Sequence, residues 1–244
     1  MSNATLLSPL ISAASAYYRP AGRFAQHFAR GKLRNDPIYA TLLTRGLLAR
    51  CTRLLDLGCG QALLAAWLLA ARPWRGSAEP IDWPTQWPAP PRLQCYVGVE
   101  LNAHEVARAR RAFALEPPTS LQIVHGDIRD VDYPTTDAVV IMDVLHYLDY
   151  SAQEKVLQRV RAALAPRGLL LLRIGNAAGG LGFTLSKAVD RTVVLLRRRR
   201  WLPVHCRTLP EWQQLLARCG FESRPMASSE GAGFVNVLLQ AQVP

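Results

Sequence analysis

The sequence predicts an α/β fold in which a mostly parallel sheet carries helices on both faces. Three observations predict it. Short apolar runs alternate with helical patterns from Cys51 to about Gly175, a Gly-x-Gly turn follows the first run, and a short turn joins the last two runs. Continuously apolar runs are typical of strands buried on both faces, and helical segments between them are typical of parallel crossovers. The short final turn indicates a hairpin, so we expect an antiparallel strand at the end of the sheet.

Each element follows from a local pattern. Helices are predicted where apolar residues recur with helical spacing, as Val156, Val160 and Leu164 do on one face of a charged segment. The last helix ends before Gly220, which stands where a left-handed residue is favoured. The predicted strands cover residues 52–57, 95–100, 121–125, 137–142, 169–174, 221–227 and 233–242, and the predicted helices cover 61–71, 103–114, 151–164 and 209–219.

The length suits one domain with additions. We expect an N-terminal helical arm over residues 1–50 and a single domain over 51–244. Two insertions interrupt the alternating pattern of that domain. Residues 72–93 are rich in Pro and Trp and predict a surface loop, whereas residues 176–208 begin with a Gly-rich turn and continue into a basic cap helix.

The positive charge of the chain is unevenly distributed. The 244 residues carry a net charge of +11, yet residues 1–50 and 176–210 hold +6 each and the remainder holds −1. Such an excess favours an anionic partner, for example nucleic acid, an anionic membrane, an acidic carrier protein or an acidic substrate. The alternative is that the basic residues only solubilise exposed helices.

Composition excludes several classes of protein. Half of the residues are apolar and 19% are charged, unlike a disordered or collagen-like chain. Five scattered cysteines without a CxxC pair predict no structural zinc and no disulfide framework, but reduced thiols in a cytoplasmic protein. No apolar run reaches the roughly 20 residues of a membrane span, and the N-terminus lacks the basic region of a signal peptide.

The most informative segment is LLDLGCGQA, residues 54–62. A strand ends with Asp56, and Gly58 and Gly60 form a turn whose backbone can approach a ligand closely. The helix that follows presents free N–H groups to an anionic ligand. Glu100 ends the next strand, where a carboxylate can accept both hydroxyls of a ribose. The gap between the two acids is 44 residues, and it falls to 22 without the first insertion, near the usual spacing of about 20.

Two further acids end the third and fourth predicted strands. Asp127 precedes Ile128, and near a bound adenine the carboxylate would accept from the exocyclic amine while the isoleucine packs on the ring. Asp143 ends the fourth strand and begins the segment Asp-Val-Leu-His. Four acids at consecutive strand ends predict a ligand site along that edge of the sheet.

These segments resemble the class I S-adenosylmethionine-dependent methyltransferases. LLDLGCGQA, YVGVELNAHEVARAR, HGDIRD, DAVVIMDVLHYL and LAPRGLLLLRIG match in the family's order over about residues 50–175. The resemblance implies a Rossmann-like seven-stranded sheet, an N-terminal helical lid and S-adenosylmethionine as cofactor. Asp56 and the two glycines would cradle the methionine moiety, and Ala62 departs from the third glycine of many members. The implied cofactor-binding residues are Asp56, Gly58, Cys59, Gly60, Glu100, Leu101, Asp127, Ile128, Asp143 and Leu145, the last two at the methyl end.

Two other functions compete with methyl transfer. A Gly-x-Gly turn with an acid also serves NAD-dependent dehydrogenases, but Asp56 precedes the glycines, where the dehydrogenase pattern needs no acid. The Gly-Asp after the third strand and the final hairpin also favour the methyltransferase. A cofactor-binding regulatory protein without methyl transfer stays open, because the same residues predict cofactor binding in both cases.

Two residues are candidates for catalysis. His146 follows the fourth strand, and an imidazole titrates near neutrality, so it is the main candidate for a general base. The alternative is that it only packs beneath the cofactor. Tyr18 lies in the arm, which in this family commonly folds over the cofactor as a lid; the alternative there is plain helix packing. His27 and His205, in the two basic segments, are weaker candidates.

The acceptor is predicted from the second insertion. Its apolar-basic helix ends in Arg197–Arg200 and would cover a hydrophobic acceptor, lie on a membrane or dock an acidic protein. RNA methylation is an alternative that the charge suggests, but the fourth strand lacks the Pro-Pro-aromatic motif of base methylation. GKLRNDP and HCRTLPEWQQLL resemble methyltransferases of bacterial aryl-polyene and acyl-pigment clusters. That resemblance implies a small aromatic or acyl acceptor, either free or linked to an acidic acyl carrier protein.

Overall fold

The computed structural model describes residues 3–72, 83–89, 92–175, 204–226 and 236–244. The chain divides into two compact units, Met1–Val140 and Ile141–Pro244. Only parts of the two predicted insertions fall within the described residues, and Arg197–Arg200 lies outside them.

The first unit begins with helices and continues with alternating strands and helices. Asp36 starts the third helix by accepting the N–H of Ile38 at 3.1 Å, and Asn102 starts the fifth by accepting the N–H of His104 at 2.9 Å. The elements are α1 (Asn3–Ala16), a 3₁₀ turn (Arg19–Ala21), α2 (Arg23–Asn35), α3 (Pro37–Thr44), β1 (Arg53–Leu57), α4 (Leu63–Ala70), β2 (Cys95–Glu100), α5 (Ala103–Ala112), β3 (Leu121–His125) and most of β4 (Thr136–Met142).

Strands β1, β2 and β3 pair in parallel. Asp56 lies opposite Gly98, and Glu100 lies opposite His125, so the ends of these strands reach the same edge. The start of β1 is held by Asp137 of β4, whose carboxylate accepts the N–H groups of Thr52 and Arg53 at 3.0 and 2.9 Å. Helix α4 is apolar all round and almost wholly buried, as a helix packed on a sheet within a core should be.

The second unit contains the end of the sheet. Its elements are a 3₁₀ turn (Leu145–Tyr147), α6 (Tyr150–Ala163), β5 (Leu164–Gly175), α7 (Leu209–Arg218), β6 (Glu222–Met226) and β7 (Asn236–Gln242). Strand β7 pairs antiparallel with both β5 and β6. A capping box between Thr208 and Glu211 starts α7.

The strands form one seven-stranded sheet in the order β3-β2-β1-β4-β5-β7-β6. The predicted α/β fold with a terminal antiparallel hairpin is therefore confirmed. Several boundaries differ from prediction by a few residues, and two of these differences have a clear local cause. Helix α4 begins at Leu63 because Gly60 and Ala62 take left-handed conformations, and β5 begins at Leu164, with left-handed Arg167 as an irregular point inside it. Among the described residues, no helix has the length and hydropathy that a membrane span requires.

Candidate active site

Three hydrogen bonds tie the Gly-x-Gly turn to the end of β2, and a fourth holds the Glu100 carboxylate. The N–H groups of Gly58 and Cys59 donate to the carbonyl of Val99 at 2.8 and 3.0 Å. The N–H of Gly60 donates to Oε2 of Glu100 at 2.9 Å, and the N–H of Asn102 donates to Oε1 at 2.7 Å. The structure thus brings together the predicted residues of both strand ends and orients the Glu100 carboxylate through its two backbone donors.

Left-handed backbone shapes this turn. Gly58 and Gly60 have φ angles of +78° and +57°, and Ala62 has +59°. A glycine adopts such angles freely, whereas an alanine pays roughly 1–2 kcal/mol for them. Ala62 therefore holds a left-handed angle that a glycine would adopt freely, and local strain lies at this residue.

The surface above the turn is open. A Cβ built on Gly60 would meet no atom within 4 Å. Next to the oriented Glu100 carboxylate, the apolar side chain of Leu101 is 65% exposed. Each carboxylate oxygen can accept a second hydrogen bond. A free backbone surface, an oriented carboxylate with acceptor sites to spare and an apolar side chain are the features that an adenosyl cofactor needs, so these residues fit it.

Asp56 lies beneath the turn and is 5% exposed. Burial, with a smaller contribution from the nearby Glu100, outweighs the hydrogen bond from Tyr96 and raises the pKa of its carboxyl to about 7. The Tyr96 hydroxyl donates to Oδ2 at 2.6 Å. The buried Asp56 carboxyl therefore titrates near neutral pH.

Gly98 makes room for the turn, and the sequence analysis missed it. A Cβ on Gly98 would lie 2.8 Å from the sulfur of Cys59 and 2.9 Å from the ring of Tyr96. A glycine inside a strand pattern signals close approach of another group, so the signal was present in the sequence. Burial raises the pKa of the Cys59 thiol, and the carboxylates of Asp56 and Glu100 raise it further. This cysteine is thus a packing group rather than a thiolate nucleophile.

Asp127 and Ile128 follow β3, as predicted. Both oxygens of Asp127 accept from Arg129, with the backbone N–H at 2.8 Å and the guanidinium at 2.6 Å, and these bonds lower the pKa of the carboxyl. Ile128 is 6% exposed. An adenine amine at Asp127 would share the carboxylate with Arg129.

Tyr18 has a different environment from that of a catalytic residue. Its side chain is fully buried, and its hydroxyl donates to the carbonyl of Gln61 at 2.8 Å. Its ring meets Phe113 edge-on, with 6.0 Å between centroids. Tyr18 therefore fastens the N-terminal helices to the Gly-rich loop, and its catalytic role stays a prediction. The exposed His27 lies on α2, with no hydrogen bond to a described residue.

In the second unit, Asp143 is paired with a buried arginine. The guanidinium of Arg173, on β5, donates to Oδ2 of Asp143, and the Asp143 N–H donates to the Arg173 carbonyl at 3.3 Å. Asp143 has a φ of +58°, and the Arg173 side chain is 8% exposed. Sequence analysis missed Arg173, although a charged residue within the apolar run LLLLRIG is a signal of a partnered buried charge.

His146 lies beside this pair, in the 3₁₀ turn after β4. Its ring contacts that of Tyr147, with 4.0 Å between centroids, and its carbonyl accepts the N–H of His205 at 2.8 Å. A small cleft lies over the turn and is lined by Leu145, His146, Arg173, Ile174, Cys206 and Trp212, among others. The predicted base and the predicted Leu145 therefore share a cleft with a buried cation.

Gln153 fixes the walls of that cleft, and sequence analysis missed it as well. The fully buried amide of Gln153 donates to the carbonyls of Leu145, Leu148 and His205 at 3.2, 3.0 and 2.8 Å. Its oxygen accepts from Nε of Arg207 at 2.8 Å. One side chain thus joins the turn that bears His146 to the segment before α7.

Comparison with known proteins extends these observations. Residues 55–170 match a family model described as a methyltransferase domain. The chain is 39% identical over 84 residues to a carboxy-S-adenosyl-L-methionine synthase of Chromohalobacter salexigens, over 34% of this chain and 31% of that protein. It is 33% identical over 138 residues to the acetylserotonin O-methyltransferase of Mus musculus, over 52% and 34%. The chain thus matches only about a third of the length of these relatives.

A solved structure shares the fold over most of both chains. It is the magnesium protoporphyrin IX methyltransferase of Synechocystis PCC 6803 with bound S-adenosylhomocysteine, with a TM-score of 0.55 at 18% identity, over 91% of this chain and 88% of that one. At this identity the likeness concerns the fold alone. The domain match over residues 55–170 and the sheet order agree: this part of the chain is similar to methyltransferase domains, and the fold is the one that such a domain has.

Proposed function

We propose that this chain transfers the methyl group of S-adenosylmethionine to a small aromatic or acyl acceptor, either free or presented on an acidic carrier protein. The observation that carries the proposal is the Gly58–Gly60 turn, with its open surface and its hydrogen bonds to Glu100. The likeness to an O-methyltransferase of a small aromatic amide supports the acceptor class.

Each binding residue has a physical reason for its role. When bound, S-adenosylmethionine supplies an electrophilic methyl group on a sulfonium. Glu100 holds the ribose hydroxyls, because its carboxylate is already oriented by the N–H groups of Gly60 and Asn102. Leu101 and Ile128 provide apolar surface for the adenine, and Asp127 accepts from its amine. Asp56, once ionised, offers a negative charge to the amino group of the methionine moiety.

His146 serves as the base in this proposal. An imidazole nitrogen of His146 would take the proton of an acceptor hydroxyl as its oxygen bonds to the methyl carbon, while the bond from that carbon to sulfur breaks and S-adenosylhomocysteine leaves. In-line displacement depends mainly on positioning and on exclusion of water, so a base adds a moderate factor of about 10²–10⁴. Asp143 and Leu145, next to His146 in the sequence, belong to the methyl end of the site.

The first experiment tests cofactor binding with a matched pair of variants. Gly60→Ala and Gly220→Ala both place a methyl group on a glycine with a left-handed φ, and neither new Cβ would come closer than 3.4 Å to a neighbouring atom. Each variant loses about 1 kcal/mol of stability from the left-handed backbone. Only Gly60→Ala should weaken S-adenosylhomocysteine binding, by about tenfold or more, in isothermal titration calorimetry. Equal affinities for the two variants would contradict the assigned site.

The second experiment tests methyl transfer and its acceptor. S-Adenosylhomocysteine release is measured with free phenols, with aryl and acyl thioesters of a carrier protein, and with RNA. We expect release with the first two classes, and a fall in kcat with unchanged cofactor affinity in His146→Gln. If S-adenosylhomocysteine is released only with RNA, RNA replaces the proposed acceptor class. If the chain binds the cofactor tightly but releases no S-adenosylhomocysteine with any acceptor, a regulatory protein is favoured. The Chromohalobacter salexigens relative is named a carboxy-S-adenosyl-L-methionine synthase. The same reactions are therefore also analysed by mass spectrometry for carboxylated S-adenosylmethionine.

A further inference from the structure

Helix α2 carries a stripe of exposed basic residues. Arg23, His27, Arg30 and Arg34 follow one another at intervals of four, three and four residues and are all exposed, and we call these four residues the α2 stripe. This spacing places them on one face along about 16 Å of helix. The opposite face of α2 is buried in its own unit through Ala25, Ala29 and Leu33.

The charge of the α2 stripe has no counter-charge in the described part of the chain. Its arginines form no ion pair there, and α2 itself contains no acidic residue. Asp36, which follows the helix, is engaged by Lys32 at 2.9 Å. Exposed arginine is easily solvated, but a row of like charges at helical spacing is unfavourable for the helix on its own. The row becomes favourable when an anionic partner neutralises it.

An exposed aromatic residue lies on the same helix, next to the α2 stripe. Phe24 is 65% exposed, and its ring is nearly parallel to that of Phe28, with 6.5 Å between centroids. The guanidinium of Arg108 lies over the Phe24 ring at 5.1 Å and donates to Glu105 at 2.8 Å. Arg108 and Glu105 belong to α5, which follows Glu100, so this surface adjoins the helix after the cofactor-binding carboxylate.

From these contacts we infer that the α2 stripe is the docking surface for an acidic helix of a protein partner. Carboxylates at the same helical spacing on a partner helix would meet the arginines in order, and Phe24 would give the contact an apolar edge. A membrane is a poorer partner, because the apolar face of α2 is already buried and cannot insert. Single-stranded RNA prefers a groove with free aromatic faces, whereas this stripe lies on the outer face of one helix and Arg108 covers a face of Phe24. The inference rests on the proposed function in one respect: the partner would be a carrier protein that delivers the acceptor to the active site.

The test uses two charge-reversal variants of the full chain. The stripe variant carries Arg23→Glu, Arg30→Glu and Arg34→Glu. The control variant carries Arg45→Glu, Arg50→Glu and Arg111→Glu, three exposed arginines outside α2, and it has the same net charge. The probe is a fluorescent, side-chain-constrained helical peptide with four glutamates at the spacing of the stripe. A peptide of the same composition in scrambled order, a single-stranded RNA and phosphatidylserine vesicles serve as comparisons.

Fluorescence anisotropy at about 150 mM salt gives the affinities. We expect the stripe variant to bind the spaced peptide about tenfold or more weakly than wild type, and the control variant to bind it like wild type. Equal losses in the two variants, equal binding of the scrambled peptide, absence of peptide binding by wild type, or a selective loss of RNA or vesicle binding would each overturn the inference. S-Adenosylhomocysteine titration of the same proteins keeps the questions apart, since its failure in wild type contradicts the proposed function and leaves the docking result intact.

Discussion

At the scale of the single residue, Asp56 links the site to the stability of the fold. Its buried carboxyl has a pKa raised by burial to about 7, whereas an aspartate in an unfolded chain titrates near about 4. Between these values the folded chain holds a proton that the unfolded chain has released. The free energy of unfolding therefore falls as the pH rises from about 4 to about 7, and it changes no further through this group above that range.

Asp56→Asn tests this linkage. The amide still accepts the Tyr96 hydroxyl but does not titrate, so we expect the variant to be more stable than wild type at about pH 8, by about 4 kcal/mol, and to lose that advantage at about pH 4. Urea denaturation over a pH series measures the difference. Tyr96→Phe is the companion variant: without the hydroxyl the carboxylate is less stabilised, so the decline should extend to higher pH. A constant difference between wild type and Asp56→Asn at every pH would contradict the buried titration.

The same scale shows what the sequence could and could not reveal about the site. Asp56, Gly60 and Glu100 were predictable, because strand ends and glycines mark where a ligand meets a parallel sheet. The Tyr96 and Gln153 contacts were not, since they join residues 40 and up to 54 positions apart. The left-handed angle of Ala62 was also hidden, because alanine carries no sequence signal for that conformation.

At the scale of the element, helix α6 acts as a support for the His146 turn through Gln153. An amphipathic pattern predicts which face of α6 is buried, but it does not predict that one buried position is polar. Gln153 satisfies three carbonyls and one arginine at once. Arg207 also places its guanidinium 4.5 Å from the centre of the Tyr150 ring, at the start of the same helix. Side chains thus hold both the turn that bears His146 and the segment before α7 to helix α6.

Gln153→Leu removes this support. The leucine removes the amide donor from three buried or partly buried carbonyls. We therefore expect a loss of about 2–4 kcal/mol in the free energy of unfolding and weaker catalysis through a displaced His146. Gln158→Leu, an exposed change of the same chemistry on the same helix, should stay within about 0.5 kcal/mol of wild type. Urea denaturation gives the first quantity and kcat the second. Similar effects of the two substitutions would show that the Gln153 hydrogen bonds contribute little.

At the scale of the whole molecule, the alternation of apolar runs and helical patterns was sufficient to predict the sheet. Parallel strands need crossovers, and two final runs joined by a short turn can only pair antiparallel, so seven runs specify most of the strand arrangement. The start of β5 was less predictable, because Pro166 and Gly168 read as a turn, whereas the strand passes through them with Arg167 left-handed. The uneven charge was predictable in full, but its arrangement as a stripe on α2 required the helix bounds.

The free energy of unfolding at low pH depends on the net charge of the chain and on one carboxylate, that of Asp137. Asp137 is partly buried, which would raise its pKa, but hydrogen bonds from Thr52 and Arg53 outweigh burial and lower the pKa to about 2. A lowered folded-state pKa stabilises the fold above about pH 4, and this contribution is lost as the pH falls from about 4 to about 2. Over the same interval the carboxylates lose charge and the net charge rises above +11, so repulsion acts in the same direction.

Asp137→Asn separates the two effects. The variant keeps most of the hydrogen-bonding shape but loses the charge, so we expect it to be about 1–2 kcal/mol less stable than wild type at neutral pH and to approach wild type at about pH 2. Asp132→Asn, an exposed change of equal charge five residues away, should remain near wild type throughout. Denaturation midpoints followed by circular dichroism from about pH 7 to about pH 2 measure both variants. Added salt should raise all midpoints at low pH by screening repulsion, while the difference between the two variants at neutral pH persists, because the Asp137 contacts are short-range hydrogen bonds.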